Sequence, residues 1–211
     1  VGGPQLTPAD DSFFAKATGE ALSSFFGSYK MNSRYKSGNL NLDANEDSLT
    51  SANLFVRRKV FNKIKGFDPL LFPGEDPELI TRMKQNEIKV AYSPSIIVYH
   101  RRRSNYISFF KQIFKYGQVR VIKEKINKRP MSIIFLLPSL FTIYFIFLIP
   151  LYTIHEFFLI PFLVYTIIAL LFSFFSAVKV NPIYLVLLPF IFLSLHVAYG
   201  LGMLHSIITK K

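Results

Sequence analysis

Phe72-Pro73-Gly74-Glu75-Asp76-Pro77-Glu78-Leu79 decides how the polar part of this chain is read. Asp76 stands directly before Pro77, and proline suits the first helical position because its missing N–H would be unsatisfied there anyway. A helix is expected from this point, with Leu79, Ile80 and Met83 as its buried stripe and Arg82 beside it, paired with Glu75 or Glu78. Upstream, Ser51-Ala-Asn-Leu-Phe-Val-Arg57 reads as a short strand. Arg58 to Lys65 reads as a short helix with Val60, Phe61 and Ile64 inward and Gly66 at its end. Downstream, Val90-Ala-Tyr92 and Ile96-Ile-Val-Tyr99 read as strands around a Ser93-Pro94 turn. They deliver His100 at a strand end, ahead of Arg101, Arg102 and Arg103. Helices alternating with short strands predict an α/β layer.

Toward the start, Asp10, Asp11 and Ser12 precede Phe14, Ala17, Ala21, Leu22 and Phe25, a helical spacing. The acidic pair reads as a helix cap rather than a metal site. Gly27 to Ser51, rich in Ser, Asn, Gly and charge, reads as a long loop. The opening Val1-Gly-Gly-Pro4 reads as a strand end and turn, so a further N-terminal portion is expected ahead of it.

Beyond residue 130 the chemistry changes. Of 25 Lys+Arg and 13 Asp+Glu in 211 residues, residues 131–211 hold only Lys179, Lys210, Lys211 and Glu156. Three uncharged runs are expected to span a membrane: 131–153, 157–178 and 183–209. At about 1.5 Å per residue, the first would reach roughly 35 Å as one helix, against a hydrocarbon core of about 30 Å. Lys123, Lys125, Lys128 and Arg129 precede the first run, which places the polar half in the cytoplasm. Three crossings would then leave Lys210 and Lys211 outside, against the same rule, unless one run is a re-entrant pair. His196 and His205, on the third run, are functional candidates as ionisable groups at membrane depth, but the favoured expectation is that each neutral imidazole hydrogen-bonds a neighbouring helix or lies at the interface. The absence of cysteine excludes disulfides, thiolate zinc sites and cysteine nucleophiles.

Between the halves, residues 104–130 form a basic amphipathic segment. Ile107, Phe110, Ile113, Phe114 and Val121 are its apolar members, and Lys111, Lys115, Arg120, Lys123 and Lys125 its cations. It reads as a helix lying in the membrane interface, kinked at Gly117. The net charge of +12 then points to membrane lipids rather than nucleic acid as the partner.

In order, Ser51 to Asp68, Phe72 to Leu79 with Arg82, Tyr92-Ser-Pro94 and Val98-Tyr-His100 resemble the C-terminal half of the family 2 glycosyltransferase domain, which has the GT-A (Rossmann-like) fold. Gly2-Gly3-Pro4 and Tyr199-Gly-Leu-Gly202 are similar to membrane-anchored members that build exopolysaccharide or lipid-linked glycans, the succinoglycan-type transferases among them. The resemblance implies an α/β domain over 1–103, and inverting transfer of a sugar from a nucleotide-sugar donor to a lipid-linked or glycan acceptor. It implies Asp76 as general base, Glu75 shaping the acceptor pocket, Asn53, Arg101, Arg102 and Arg103 as substrate-binding, and His100 as a metal ligand or diphosphate contact. It also implies Mg²⁺ or Mn²⁺, whose main ligands, an Asp-x-Asp motif, are expected in the preceding portion. Lys65-Gly66 replaces the family's Gly-Gly and Asp68-Pro69 its Asp-Glu. The Gln-x-x-Arg-Trp motif of processive synthases is absent, which favours single-sugar transfer. A non-catalytic membrane scaffold or lipid-binding subunit is the alternative.

Overall fold

The computed structural model describes residues 1–128 and 130–209. The chain divides into two compact units, Val1–Ser104 and Asn105–Lys211. Arg129, Lys210 and Lys211, used above for topology, lie outside the described residues.

The first unit runs β1 (Gln5–Leu6), α1 (Phe13–Ser23), α2 (Phe25–Ser28), a 3₁₀ stretch Tyr29–Arg34, α3 (Arg58–Lys63), α4 (Glu75–Gln85) and β2 (Val98–Tyr99). Among the described residues, the expected α/β layer is reduced to a parallel β1–β2 pair, Gln5 opposite Val98 and Leu6 opposite Tyr99, plus single bridges. Gly2 bridges Leu54 and Tyr92, and Asn41 bridges Tyr92 from the other side. Pro4 and Pro94 have no N–H to donate, so each ladder breaks after a residue or two. The expected strand at Ser51–Arg57 is a 3₁₀ turn, Ser51–Asn53, followed by one paired residue, Leu54.

The stripe expected on α4 is present: Leu79, Ile80 and Met83 join Ala44, Leu49, Ile64, Val90 and Tyr92 in one core. α4 begins at Glu75, earlier than expected, because the chain turns at Gly74, whose φ of 133° suits only glycine. Pro77 thereby falls at the third helical position, where its N–H would still lack a partner. The segment expected as a long loop is pinned. The Tyr92 hydroxyl accepts from Gly38 N at 3.2 Å and donates to Lys36 O at 3.2 Å. Lys84 pairs with Asp43, and Ala44 and Leu49 enter the core.

The second unit comprises α5 (Tyr106–Ile126), α6 (Ile133–Ile146), α7 (Leu148–Ile154), α8 (Ile160–Lys179) and α9 (Tyr184–Ile208). Two stretches, Glu156–Lys179 and Tyr184–Ile208, are long and apolar enough to cross a membrane. The first run expected as a span is broken, with α6 and α7 meeting at a bend of 61°. Pro150 explains the position, since it removes the N–H that would bond Ile146 O, and its ring crowds that same carbonyl. α6 ends at Ile146.

α5 runs through Gly117 without a break. There a Cβ would lie 2.1 Å from Tyr199 O, and one at Gly202 would lie 1.9 Å from Phe114 O. The two glycines let α5 and α9 meet backbone to backbone. Arg120 and Lys123, expected on the polar face, are instead buried. Arg120 Nε donates to the Tyr199 hydroxyl at 3.2 Å, and its guanidinium lies 3.9 Å from the Phe135 ring centroid. Lys123 Nζ is 3.1 Å from Glu124 Oε1. His196 Nδ1 bonds the Tyr165 hydroxyl at 2.8 Å, and His205 Nδ1 bonds Gln118 Nε2 at 2.9 Å.

Candidate functional site

Glu75 and Asp76 occupy the first turn of α4, where free backbone N–H groups favour negative charge. Neither side chain caps its own helix from the N-cap position, which Gly74 holds. Glu75 Oε2 accepts from Gly74 N at 2.8 Å. Asp76 Oδ2 reaches outside the helix and accepts from Ser51 N at 2.9 Å. Its own backbone N–H is a second donor, and a carboxylate offers about four acceptor sites. Burial pushes the Asp76 carboxyl above the ordinary aspartate range. The Arg34 charge and the Ser51 N–H pull it back, while Glu75 adds to the rise. The net direction is upward, so desolvation outweighs the anion-stabilising helix terminus. That is the direction a carboxylate needs if it is to take a proton.

Arg34 was not visible as a site residue in the sequence, because it lies in a stretch without periodicity. It ends the Tyr29–Arg34 stretch, donates through Nε to Asp47 O at 3.2 Å and bonds Glu46 O. The turn leading to Ser51 is thus held by Arg34 at one end and Asp76 at the other. Arg82 holds the far side of α4. Both its Nε and a terminal nitrogen lie 2.6 Å from Glu78, and it also bonds Ile64 O and Gly66 O. Phe72, just ahead of the acidic pair, is 81% exposed.

A model of the family described as Glycosyl transferase family group 2 matches residues 11–204. The chain belongs to this family. No curated protein and no solved structure matches it. Membership makes the chain a glycosyl transferase, acting on a sugar donor and an acceptor in general terms.

In this glycosyl transferase the remaining expected site residues fall elsewhere. Asn53 is 3% exposed, and its amide donates to Pro4 O at 3.0 Å and Ile96 O at 2.7 Å. It braces the segment ahead of β1 against the one ahead of β2. Arg101 forms a 2.6 Å ion pair with Asp10. Arg102 bonds Gln5 O, Gln5 Oε1 and Thr7 Oγ1, with its guanidinium 4.9 Å from the Tyr35 ring centroid. The acidic pair expected as a cap is therefore divided. Ser12 caps α1 by accepting from Ala15 N at 3.2 Å, while Asp10 holds Arg101 and Asp11 accepts from Arg102 N at 2.9 Å. Arg103 is exposed. Burial lowers the His100 pKa, and the charges of Arg102 and Arg103 lower it further, so its imidazole is neutral near pH 7. Among the described residues, no group of three or more His, Asp or Glu can hold a metal ion. His100 is the residue here that the resemblance assigns to the Mg²⁺ or Mn²⁺ implied by it.

Proposed function

We propose that this chain carries the acceptor side of an inverting glycosyltransferase. In this reading a sugar moves from a nucleotide-sugar donor to a lipid-linked or glycan hydroxyl, as in polysaccharide synthesis, and GT-A remains the fold expected for the polar unit. Asp76 is the general base. The acceptor oxygen attacks the anomeric carbon from the face opposite the leaving group. As the new C–O bond forms, the bond to the nucleoside diphosphate breaks, and the hydroxyl proton passes to Asp76. Glu75 flanks the acceptor and keeps Asp76 from losing its basicity through their mutual repulsion. His100 and Arg103 are the groups left to face the leaving diphosphate, Arg101 and Arg102 being engaged by Asp10 and Gln5. The polar unit is cytoplasmic in this reading, on the side of Lys123, Lys125 and Lys128.

The single observation that carries the proposal is the placement of Asp76 in the first turn of α4, its carboxylate reaching out of the helix to Ser51 N at 2.9 Å while burial pushes its pKa upward. Replacing it in the full-length protein, Asp76→Asn, keeps the shape and removes the base. Transfer of radiolabelled sugar from a panel of nucleotide sugars is expected to fall by about 10²–10⁴-fold. Turnover within a few fold of the parent overturns the assignment.

A further inference from the structure

We propose that the outward face of α3 and its flanks is a second membrane contact, one that seats the first unit on anionic lipid headgroups. Residues 55–67 contain Arg57, Arg58, Lys59, Lys63 and Lys65 and no carboxylate. All five cations are exposed. The inward side of the same segment is accounted for: Ile64 lies in the core, and Leu54, Val56, Val60 and Phe61 pack against it. Phe55, between Leu54 and Val56, therefore points away from the core and is 64% exposed; Phe67, at the other end of the basic run, is 42% exposed. Lys59 and Lys63 are one helical turn apart, so they share a face.

A merely solvated helix face mixes the two signs of charge. Other cations of this unit are joined to acceptors of the protein itself: Arg82 to Glu78, Lys84 to Asp43, Arg101 to Asp10. The five on α3 and its flanks form no ion pair among the described residues. Cations flanked by exposed aromatic rings match a bilayer surface, where phosphate meets the charges and the rings enter the headgroup layer. The occupant follows from the chain itself, since the unit is covalently continuous with the apolar helices α8 and α9. Tethering keeps a bilayer within reach at high effective concentration, so a contact too weak to recruit a free protein suffices. This inference rests on the spans and the surface charge, and is independent of the role of Asp76.

This chain has no tryptophan, so, with any tryptophan outside it replaced by phenylalanine, Phe67→Trp is a single reporter. The full-length protein is reconstituted in vesicles with brominated acyl chains, either phosphatidylcholine alone or a mixture with phosphatidylglycerol. In the anionic bilayer, emission is expected to shift to the blue and to be quenched. Each cation is worth on the order of fivefold in partition, so Arg58→Gln, Lys59→Gln and Lys63→Gln together should abolish the quenching, and salt near 1 M should weaken it. Phe25→Trp, exposed on α2 rather than on α3, should stay unquenched. Phe55→Trp repeats the measurement should Phe67→Trp fail to fold. Emission alike in both lipids, quenching indifferent to charge removal, or shielding of the reporter by an added polyanion but not by anionic lipid would each overturn the proposal.

Discussion

The two units are built with opposite grain. In the first, Leu79 and Ile80 on α4 are completely buried, and the buried charges Asp11 and Glu78 are held by Arg102 N and Arg82. In the second, Ile149, Val186 and Phe190 are 77%, 67% and 66% exposed, whereas Ser139, Thr142, Ser173, Ser206 and even Lys123 are buried. On α8 the buried residues are small, Ala169, Ser173, Ser176 and Ala177, spaced to form one stripe along the helix. Water explains the first pattern and hydrocarbon the second. Where the surroundings are as apolar as leucine, helices associate through small residues and internal polar contacts. Ser173 Oγ bonding Ala169 O and Thr142 Oγ1 bonding Pro138 O satisfy those groups inside the helices.

The sharpest way to break the contrast is to count crossings. α6 has 14 residues, about 21 Å of helix, short of a core of about 30 Å, and the bend to α7 adds little depth. Two crossings are therefore expected, with both ends of the second unit on one side. This would also remove the conflict that three crossings create between the Lys123–Arg129 flank and Lys210-Lys211. This chain is free of cysteine, so with any cysteine outside it replaced the measurement is direct. Single cysteines at Ser104 and Thr209 should react with an impermeant thiol reagent from the same face, and labelling from opposite faces would establish three crossings.

Next in size is a paired truncation. Leu79→Ala should cost about 2–5 kcal/mol in unfolding of the first unit. Ile167→Ala, on a 58% exposed position of α8, should stay within about 0.5 kcal/mol in detergent. Comparable losses would erase the distinction between the units. Gly202→Ala is smaller in atoms but placed at the α5–α9 contact, where the added Cβ meets backbone. About 1–3 kcal/mol is expected, read as a lowered melting temperature of the second unit.

The smallest effect is a displacement of a pH profile. Protonated Asp76 cannot accept a proton, so kcat/KM falls as pH drops through its pKa. Because burial raises that pKa, the acid limb should lie above the ordinary aspartate range. Arg34 lowers the pKa, so Arg34→Gln should move the limb further up in pH, and Arg34→Lys should return it toward the parent. A limb unmoved by Arg34→Gln would separate Arg34 from the site.

Much of this was legible in the sequence. The α4 stripe and the extent of α5 follow from 3.6-residue periodicity, and the apolar runs follow from composition. These signals are local, each carried by neighbours within a turn or two. The strands were overread, since β pairing depends on a partner segment, and Pro4 and Pro94 cut the pairing short. Gly117 shows the same limit: a glycine inside a helix is compatible with a kink or a close approach, and the close approach becomes visible only with the facing Tyr199 in place.

By itself, the sequence determined the buried stripe of α4, which runs are long and apolar, and which acidic pair stands at the head of α4. Tertiary structure alone decided that Arg120 and Lys123 turn inward, that Asn53 is a brace, that Arg101 and Arg102 are held by Asp10 and Gln5, and that Asp76 is a stronger base than a helix terminus would make it. The physical reason is that a charge takes its energy from everything within a few ångströms. For Asp76 those neighbours, Ser51 and Arg34, lie 25 and 42 positions away along the chain.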